Sequence, residues 1–424
     1  MSRTVEKIAK VHTEDKTNSG LSPLNVGLFG FGCAGEGLYQ TLENHPYSKA
    51  VIKRICIADP SKERSAPAEL FTTSSEDIFG DENIDVIVEL IDDAQAAFDI
   101  IDKALRANIP VVSANKKVIA ENLEYWLELQ KTTGTPLLYE AACGAGIPTI
   151  RSLSDYFDSE WVQNLEGVVN GSTNYILSQL SKGQAVYDEA LAEAQAAGFA
   201  ETDPSLDVEG WDSRYKLCLL LAHAFGLVVR PEDIFTLGIT RLQPSDFEYA
   251  SQRGQSIKLV ATAQRVGETV EAFVLPKFVS STHPLSRVSN EINGLQIGGA
   301  LGQNQFLSGA GAGAWPTASG VLNDLSALAK GYKYKEVNSE YAPHWNEDPE
   351  IWVHFAADHL LQVPVGRFEE VITHFHGIDG SYIQGRIKTS ILTQLLEEPR
   401  VRVIALDAED ILAYKNKLKQ LQTA

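Results

Sequence analysis

Apolar and polar positions follow two different rhythms along this chain. From Asn25 the residues NVGLFGFG predict a short apolar strand running into glycines, with a helix after it through Glu43. Apolar runs recur at AVIKRICIAD (50–59), DVIVELI (85–91), PVVSA (110–114) and PLLYEA (136–141). Helical stretches, AQAAFDIIDKALRAN and ENLEYWLELQKTTG, separate them. Strands alternating with helices of this length predict parallel βαβ units, and so an α/β domain over about 25–150. After a helix at IPTIRSLSDYF the rhythm changes. The strand NLEGVVN (164–170) leads to helices around 173–199 and 208–226. Two alternating segments, IKLVATAQRV and VEAFVLPKFV, and then GLQIGGA and NQFLSG predict a mixed sheet with helices on one face, an α+β domain over 151–308.

The helix in WPTASGVLNDLSALAKGY, led by a glycine-rich turn, predicts that 309–332 return to the first domain. The acidic, aromatic stretch 333–350 reads as a linker. Beyond it, IWVHFAA, VGRFEEVITHF, YIQGRIKTS, TQLLEE and VRVIAL predict a small β-α-β-α-β unit over 351–424. Residues 1–24 lack the apolar core of a signal peptide and read as a polar arm.

A length of 424 residues exceeds one ordinary core, and 44% hydrophobic with 22% charged residues is a soluble composition. Thirty-six basic against 56 acidic residues give a net charge of −20, spread along the chain. Such a surface repels phosphate backbones and anionic lipid, so neither nucleic acid nor membrane is expected as a partner. Cys33, Cys56, Cys143 and Cys218 lie far apart without metal-ligand spacing, as suits free thiols in a reducing cytoplasm.

Gly30-Phe31-Gly32-Cys33-Ala34-Gly35 is a GxGxxG between a strand and a helix. The first glycine makes the turn, the second lets the backbone approach a pyrophosphate, and the third permits close helix packing, which makes the first domain Rossmann-like and dinucleotide-binding. Asp59, after the second strand, is placed for an adenosine ribose hydroxyl and favours NAD; Lys62 and Arg64 nearby suit the 2′-phosphate of NADP instead. Ser113-Ala114-Asn115-Lys116-Lys117 follows the fourth strand at the carboxyl edge of the sheet, where ligands of such sheets bind. Asn170-Gly171-Ser172 opens a helix with small polar donors, a pattern that also serves as an ordinary cap. Asp212 and Lys216 lie four apart on one helical face, eleven residues and more beyond Glu201. Carboxylates for an ammonium and a lysine for proton transfer are what a small amino-acid substrate requires. Glu140 through Pro148 is a sharp turn of carbonyls and a carboxylate, either a hinge or a hard-cation site. Gly309, Gly311 and Gly313 form a glycine-dense turn able to lie against a cofactor.

Taken in order, VGLFGFGCAGEG, VVSANKK, LLYEAACGAGIPTI, GVVNGSTNYIL, AAGFAETDPSLDVEGWDSRYKL, HPLSRV and SGAGAGAWPTASGVLNDL resemble homoserine dehydrogenase over about residues 25–330. No aspartokinase-like motif precedes them, which implies the monofunctional form. The resemblance implies an NAD(P)-dependent, dimeric enzyme interconverting L-aspartate 4-semialdehyde and L-homoserine, with 151–308 serving substrate binding and dimerisation. It assigns Lys116 and Lys216 as catalytic lysines, Glu201 and Asp212 as substrate carboxylates, and Gly171 and Ser172 as the substrate loop. Glu140, Cys143, Ala145 and Ile147 match a turn holding a monovalent cation such as sodium, largely through main-chain oxygens. Gly309 and Gly311 would border the cofactor, with Ser113 and Lys116. Two departures stand out: Ile91-Asp92-Asp93 replaces a glycine-rich turn near the nicotinamide, and Phe199 replaces a frequent tyrosine beside the substrate. The last eighty residues lack the glycine signature of an ACT regulatory domain, although their order is compatible with one.

Overall fold

β1 (Leu24–Phe29), β2 (Ala50–Cys56), β3 (Phe71–Thr72), β4 (Val86–Glu89), β5 (Val111–Ser113) and β6 (Leu137–Leu138) form one parallel sheet in the order β3-β2-β1-β4-β5-β6. The computed structural model describes residues 23–44, 49–157, 161–183, 186–302, 304–335, 342–358, 364–377 and 380–423. The polar arm expected over 1–24 lies, but for its last two residues, outside the described residues. β4 and β5 are buried along their whole length, as is β1 from Val26 onward, which is why VGLF, VIVE and VVS run apolar instead of alternating. Six strands in this order, all parallel, are the doubly wound arrangement expected from the βαβ rhythm. Around them lie α1 (Cys33–Asn44), α2 (Ala94–Arg106), α3 (Lys116–Glu121), α4 (Leu123–Thr133) and the short α5 (Glu140–Gly144).

The second sheet has eleven strands: β7 (Val162–Val168), β8 (Phe235–Thr236), β9 (Gln255–Val266), β10 (Thr269–Ser280), β11 (Ile292–Gly299), β12 (Gln305–Ala310), β13 (His344–Trp345), β14 (Glu350–Ala357), β15 (Glu370–Gly377), β16 (Gly380–Lys388) and β17 (Val401–Ala405). Its path is β12-β11-β7-β9-β10-β17-β14-β16-β15, with β8 and β13 also pairing with β10. The remaining helices used below are α6 (Gly171–Ser181), α7 (Tyr187–Ala196), α8 (Trp211–Phe225), α9 (Pro244–Gln252), α10 (Ala314–Leu328), α11 (Thr389–Leu395) and α12 (Ala408–Thr423). α10 packs back on the first domain: a Cβ on Gly37 of α1 would lie 2.7 Å from Ala314 O, so the two helices meet backbone to backbone.

Two expectations are corrected. The stretch 333–350 is not merely a linker, because His344 and Trp345 pair with Thr269 and Val270 of β10. Among the described residues of 351–424 the order is β-β-β-α-β-α, since Glu370–Gly377, expected within a helix, is an edge strand paired with β16. Val371, Ile372 and Thr373 are β-branched residues, and the ladder to β16 outweighs the weak helical spacing of that segment. The terminal strands also continue the second sheet through the Lys277–Ala405 pair of β10 and β17.

That junction buries His354 of β14 against the rings of Tyr249, Phe278 and Tyr382. Burial, with Arg402 and Arg253 adding to it, pushes the imidazole down to about 3 from 6.5. His223 of α8, half-buried between Tyr139 and Ser154, is pushed down to about 4 by desolvation. The unfolded chain takes up protons near 6.5 that the folded chain refuses, so these contributions are complete above that value. They are lost as the pH falls below it, at up to about 1.4 kcal/mol per pH unit for each histidine. His354→Gln should flatten the acid arm: its melting temperature should fall less than that of the parent between about pH 7 and 4.5 in thermal unfolding.

Candidate active site

A single carboxylate organises the carboxyl edge of the first sheet and the start of α8. Gly210 turns the chain with φ +88 and lets α8 begin at Trp211, which places Asp212 in its first turn and Lys216 one turn later. Lys216 Nζ donates to Asp212 Oδ2 at 2.8 Å and to the Val169 carbonyl at 2.6 Å. Lys116, the first residue of α3, brings its Nζ to 2.6 Å from Asp212 Oδ1. Asp212 is thus clamped between two ammonium groups. Burial alone would push its carboxyl up, but Lys116 and Lys216 hold it well below the ordinary carboxylate range. The Asp212 charge in turn holds the Lys116 ammonium above its ordinary value, against the opposing effect of burial. The two lysines differ in access: the Lys116 side chain is 42% exposed and that of Lys216 is 8%.

Lys116 is positioned from the sheet. Asn115 caps α3 by accepting from Val118 N at 3.2 Å, and its Nδ2 donates to Ile91 O at 3.0 Å. Its own N–H donates to Ser113 Oγ at 3.0 Å, and that hydroxyl donates to the buried Glu89 at 2.6 Å. Glu89 also accepts from Ile91 N at 2.8 Å, closing a ring of bonds beneath the carboxyl edge of the sheet. Burial pushes Glu89 up to about 7. Sequence reasoning missed it, although an acid ending the apolar run VIVE is a visible signal. Of the unusual pair at 92–93, Asp93 folds back to cap α2 through Ala96 N at 2.9 Å.

On the other side, α6 starts at Gly171 under an Asn170 cap. Ser172 Oγ donates to Phe199 O at 2.6 Å, so the Gly171–Ser172 segment and Phe199 are tied together. Asp207, absent from the expected site, joins it: Asn170 Nδ2 reaches Asp207 Oδ1 at 2.6 Å and Asp212 Oδ2 at 2.9 Å. It sits five residues before Asp212 in the same acidic run, the one signal that marked it. Burial raises its carboxyl first, and the Asp212 charge adds to that. Glu201 is exposed and outside this bonded cluster; it bears on Lys116 through its charge, as Asp207 does.

The phosphate loop is built as the GxGxxG pattern requires. Gly30 holds φ +93, a conformation closed to other residues at low cost, and a Cβ there would lie 2.5 Å from Leu90 O. At Gly32 a Cβ would meet nothing, Cys33 is exposed, and Ala34 and Gly35 carry on into α1, so the helix N-terminus faces open space suited to a pyrophosphate. Asp59 lies beyond the end of β2 and folds onto Ser61, accepting from its N–H at 2.9 Å and from its Oγ at 2.6 Å. Arg64 Nη2 donates to Asp59 O at 2.6 Å beside the Phe71 ring.

Gly311 makes room for a side chain. A Cβ there would sit 1.7 Å from the amide nitrogen of Asn293, whose Nδ2 donates to Val169 O at 2.9 Å, the same carbonyl that receives Lys216. Gly309 packs on Ile147 instead. At the expected cation turn, Ala145 adopts φ +50, a strained value that makes the turn sharp. The Glu140 carboxylate accepts from Ile150 N at 2.9 Å and Arg151 N at 2.8 Å. Asp324 of α10 accepts from Glu140 N at 2.9 Å, and its other oxygen is buried without a partner among the described residues. Two buried carboxylates, Glu140 and Asp324, in and against the turn that carries Cys143, Ala145 and Ile147 are oxygen donors of the kind a hard cation takes, although the Ile147 carbonyl already accepts from Thr149 N at 2.8 Å. The Cys143 thiol, pushed up to about 12 by burial, is not the donor.

Removing the central charge leaves two lysines without a counter-ion. Asp212→Asn should lower stability by about 3–5 kcal/mol, the scale for breaking a buried pair, read as a shift of the urea midpoint at unchanged slope. Gly311→Ala should displace Asn293 and reduce turnover while the melting temperature falls by only a few degrees, about 1–2 kcal/mol; an unaltered rate would detach Gly311 from the lysine.

Residues 30–140 match the model of the homoserine dehydrogenase NAD-binding domain, and residues 148–326 match that of homoserine dehydrogenase itself. Homoserine dehydrogenase of Synechocystis sp. is 38% identical over 365 residues, covering 83% of this chain and 82% of the relative. That of Bacillus subtilis is 33% identical over 370 residues, 84% and 85%. Among solved structures, a homoserine dehydrogenase from Thiobacillus denitrificans superposes with a TM-score of 0.80 at 26% identity over 92% of this chain and 99% of that one. A hyperthermophilic archaeal homoserine dehydrogenase in complex with NADPH does so with a TM-score of 0.63 at 25% identity over 74% and 99%. The chain belongs to the homoserine dehydrogenase family.

Proposed function

We propose that this cluster reduces L-aspartate 4-semialdehyde to L-homoserine with NAD(P)H, reversibly, in threonine and methionine biosynthesis. The observation that carries the reading is Asp212 clamped between Lys116 and Lys216 at the carboxyl edge of a nucleotide-binding sheet. When bound, the nicotinamide supplies the hydride that makes the aldehyde carbon an alcohol carbon. The residues of the chain do the rest. Lys216 has two of its three N–H groups fixed by Asp212 and Val169, and the third delivers the proton to the developing alkoxide. Lys116, more open to solvent, stabilises that oxyanion and resupplies protons. Asp207, Glu201 and Asp212 take the substrate ammonium, and the Gly171–Ser172 loop takes its carboxylate end.

Gly30, Gly32, Cys33, Ala34 and Gly35 would cradle the pyrophosphate, and Ser113 with Lys116 the nicotinamide side. Asp59 favours NAD, while the ordered Arg64 beside it accommodates a 2′-phosphate. A sodium ion would be held by Glu140 and the carbonyls of Cys143, Ala145 and Ile147, stiffening the turn between the domains. The enzyme acts in the cytoplasm as a homodimer or larger homo-oligomer. The strand order β17-β14-β16-β15 supports an ACT-like reading of the C-terminal region, hence a test of threonine as an effector.

Oxidation of NADH and of NADPH with aspartate 4-semialdehyde tests the reaction and ranks the cofactors. Lys216→Ala should lower kcat about 10²- to 10⁴-fold with cofactor binding kept, the range of general acid–base catalysis. Cofactor binding by the parent protein with no turnover would instead indicate a nucleotide sensor on a dehydrogenase scaffold.

A further inference from the structure

Asn170 uses the whole hydrogen-bonding capacity of its side chain inside the site. Its Oδ1 accepts from Thr173 N at 2.8 Å and Thr173 Oγ1 at 2.9 Å, which caps α6. Its Nδ2 carries two N–H groups, and both are taken by carboxylates: Asp207 Oδ1 at 2.6 Å and Asp212 Oδ2 at 2.9 Å. A cap needs only the acceptor. Serine or aspartate would cap α6 as well, but neither offers two donors in a fixed plane.

The two acids need such a partner. They come from different elements, Asp207 from the short turn Ser205–Val208 and Asp212 from α8, and each raises the cost of charge on the other. Asp212 has two lysines, whereas Asp207 has no lysine in hydrogen-bonding reach among the described residues. The Asn170 amide is therefore what ties Asp207 to the catalytic carboxylate without neutralising it.

We propose that Asn170 is a positioning residue that sets the spacing of Asp207 and Asp212, so that the pair forms a cradle for the substrate ammonium while Asp212 keeps its lysines. The inference rests on the functional reading above. Loss of the double donor leaves Asp207 with the Ser172 hydroxyl but untied from Asp212, which weakens amino-acid binding more than it slows the chemical step. Removing the amide with Asp207 already gone has little further effect on binding, because there is no second carboxylate to hold.

The test compares Asn170→Ser, which keeps a cap acceptor, with Asn170→Ala, which keeps neither function. Asn170→Ser should melt close to the parent, keep its KM for NADPH, and raise KM for the semialdehyde about 10- to 100-fold, the scale of hydrogen bonds to charged groups. Asn170→Ala should show the same KM rise together with a lower melting temperature. In an Asp207→Asn background, Asn170→Ser should add less than about a threefold change to KM, a coupled pair in a double-mutant cycle. A parent-like KM in Asn170→Ser, or additive effects in the cycle, would reduce Asn170 to a helix cap and overturn the proposal. Parent turnover in the same assay separates the two readings: its absence overturns both, its presence with an unaffected serine variant overturns only this one.

Discussion

The Asp212 carboxylate is the constraint on which the rest of this structure turns. A buried charge is tolerable only when opposite charges and hydrogen bonds surround it, and Asp212 collects Lys116 from α3, Lys216 from its own helix α8 and Asn170 from the cap of α6. Those contacts fix α3 of the first domain, α8 of the second and the start of α6 against one another. The same interactions that satisfy the acid therefore assemble the site. Chemistry and domain arrangement share one electrostatic solution.

Around it, neutral groups set geometry and charged groups set reactivity. Val169 O receives both Lys216 and Asn293, and the missing side chain of Gly311 makes room for the latter. On the nucleotide side, Glu89, Ser113, Asn115 and Ile91 close a ring that aims Lys116. Each network holds a lysine by its backbone or its partner, which keeps the ammonium groups available.

The second sheet connects this site to the end of the chain. β10 is its hub, pairing with β8, β9, β13 and β17. Ser280 at its end donates through its N–H to Asp407 at 2.9 Å, just before α12, and Lys277 of the same strand bonds Glu166 on β7. β7 then runs to Val168, one residue short of the carbonyl that holds Lys216. The C-terminal strands are thus continuous with the strand that supports the lysine.

The alternation of apolar strands and helices determined the parallel sheet, because both faces of β1, β4 and β5 must be buried and the runs are correspondingly apolar. Local spacing likewise determined the phosphate loop and the Asp212–Lys216 pair, which depend on one turn and one helical repeat. Tertiary structure alone decided that Lys116 shares the same carboxylate, 96 residues away in sequence by the numbers of Lys116 and Asp212. It also decided that Asp207 is bonded into the cluster and that Gly311 makes room for Asn293. Those assignments rest on hydrogen bonds and close approaches between distant segments, which no pattern along the chain encodes. The edge strand β15 depends on a partner in the same way: its β-branched residues favour a strand, and the ladder to β16 fixes it.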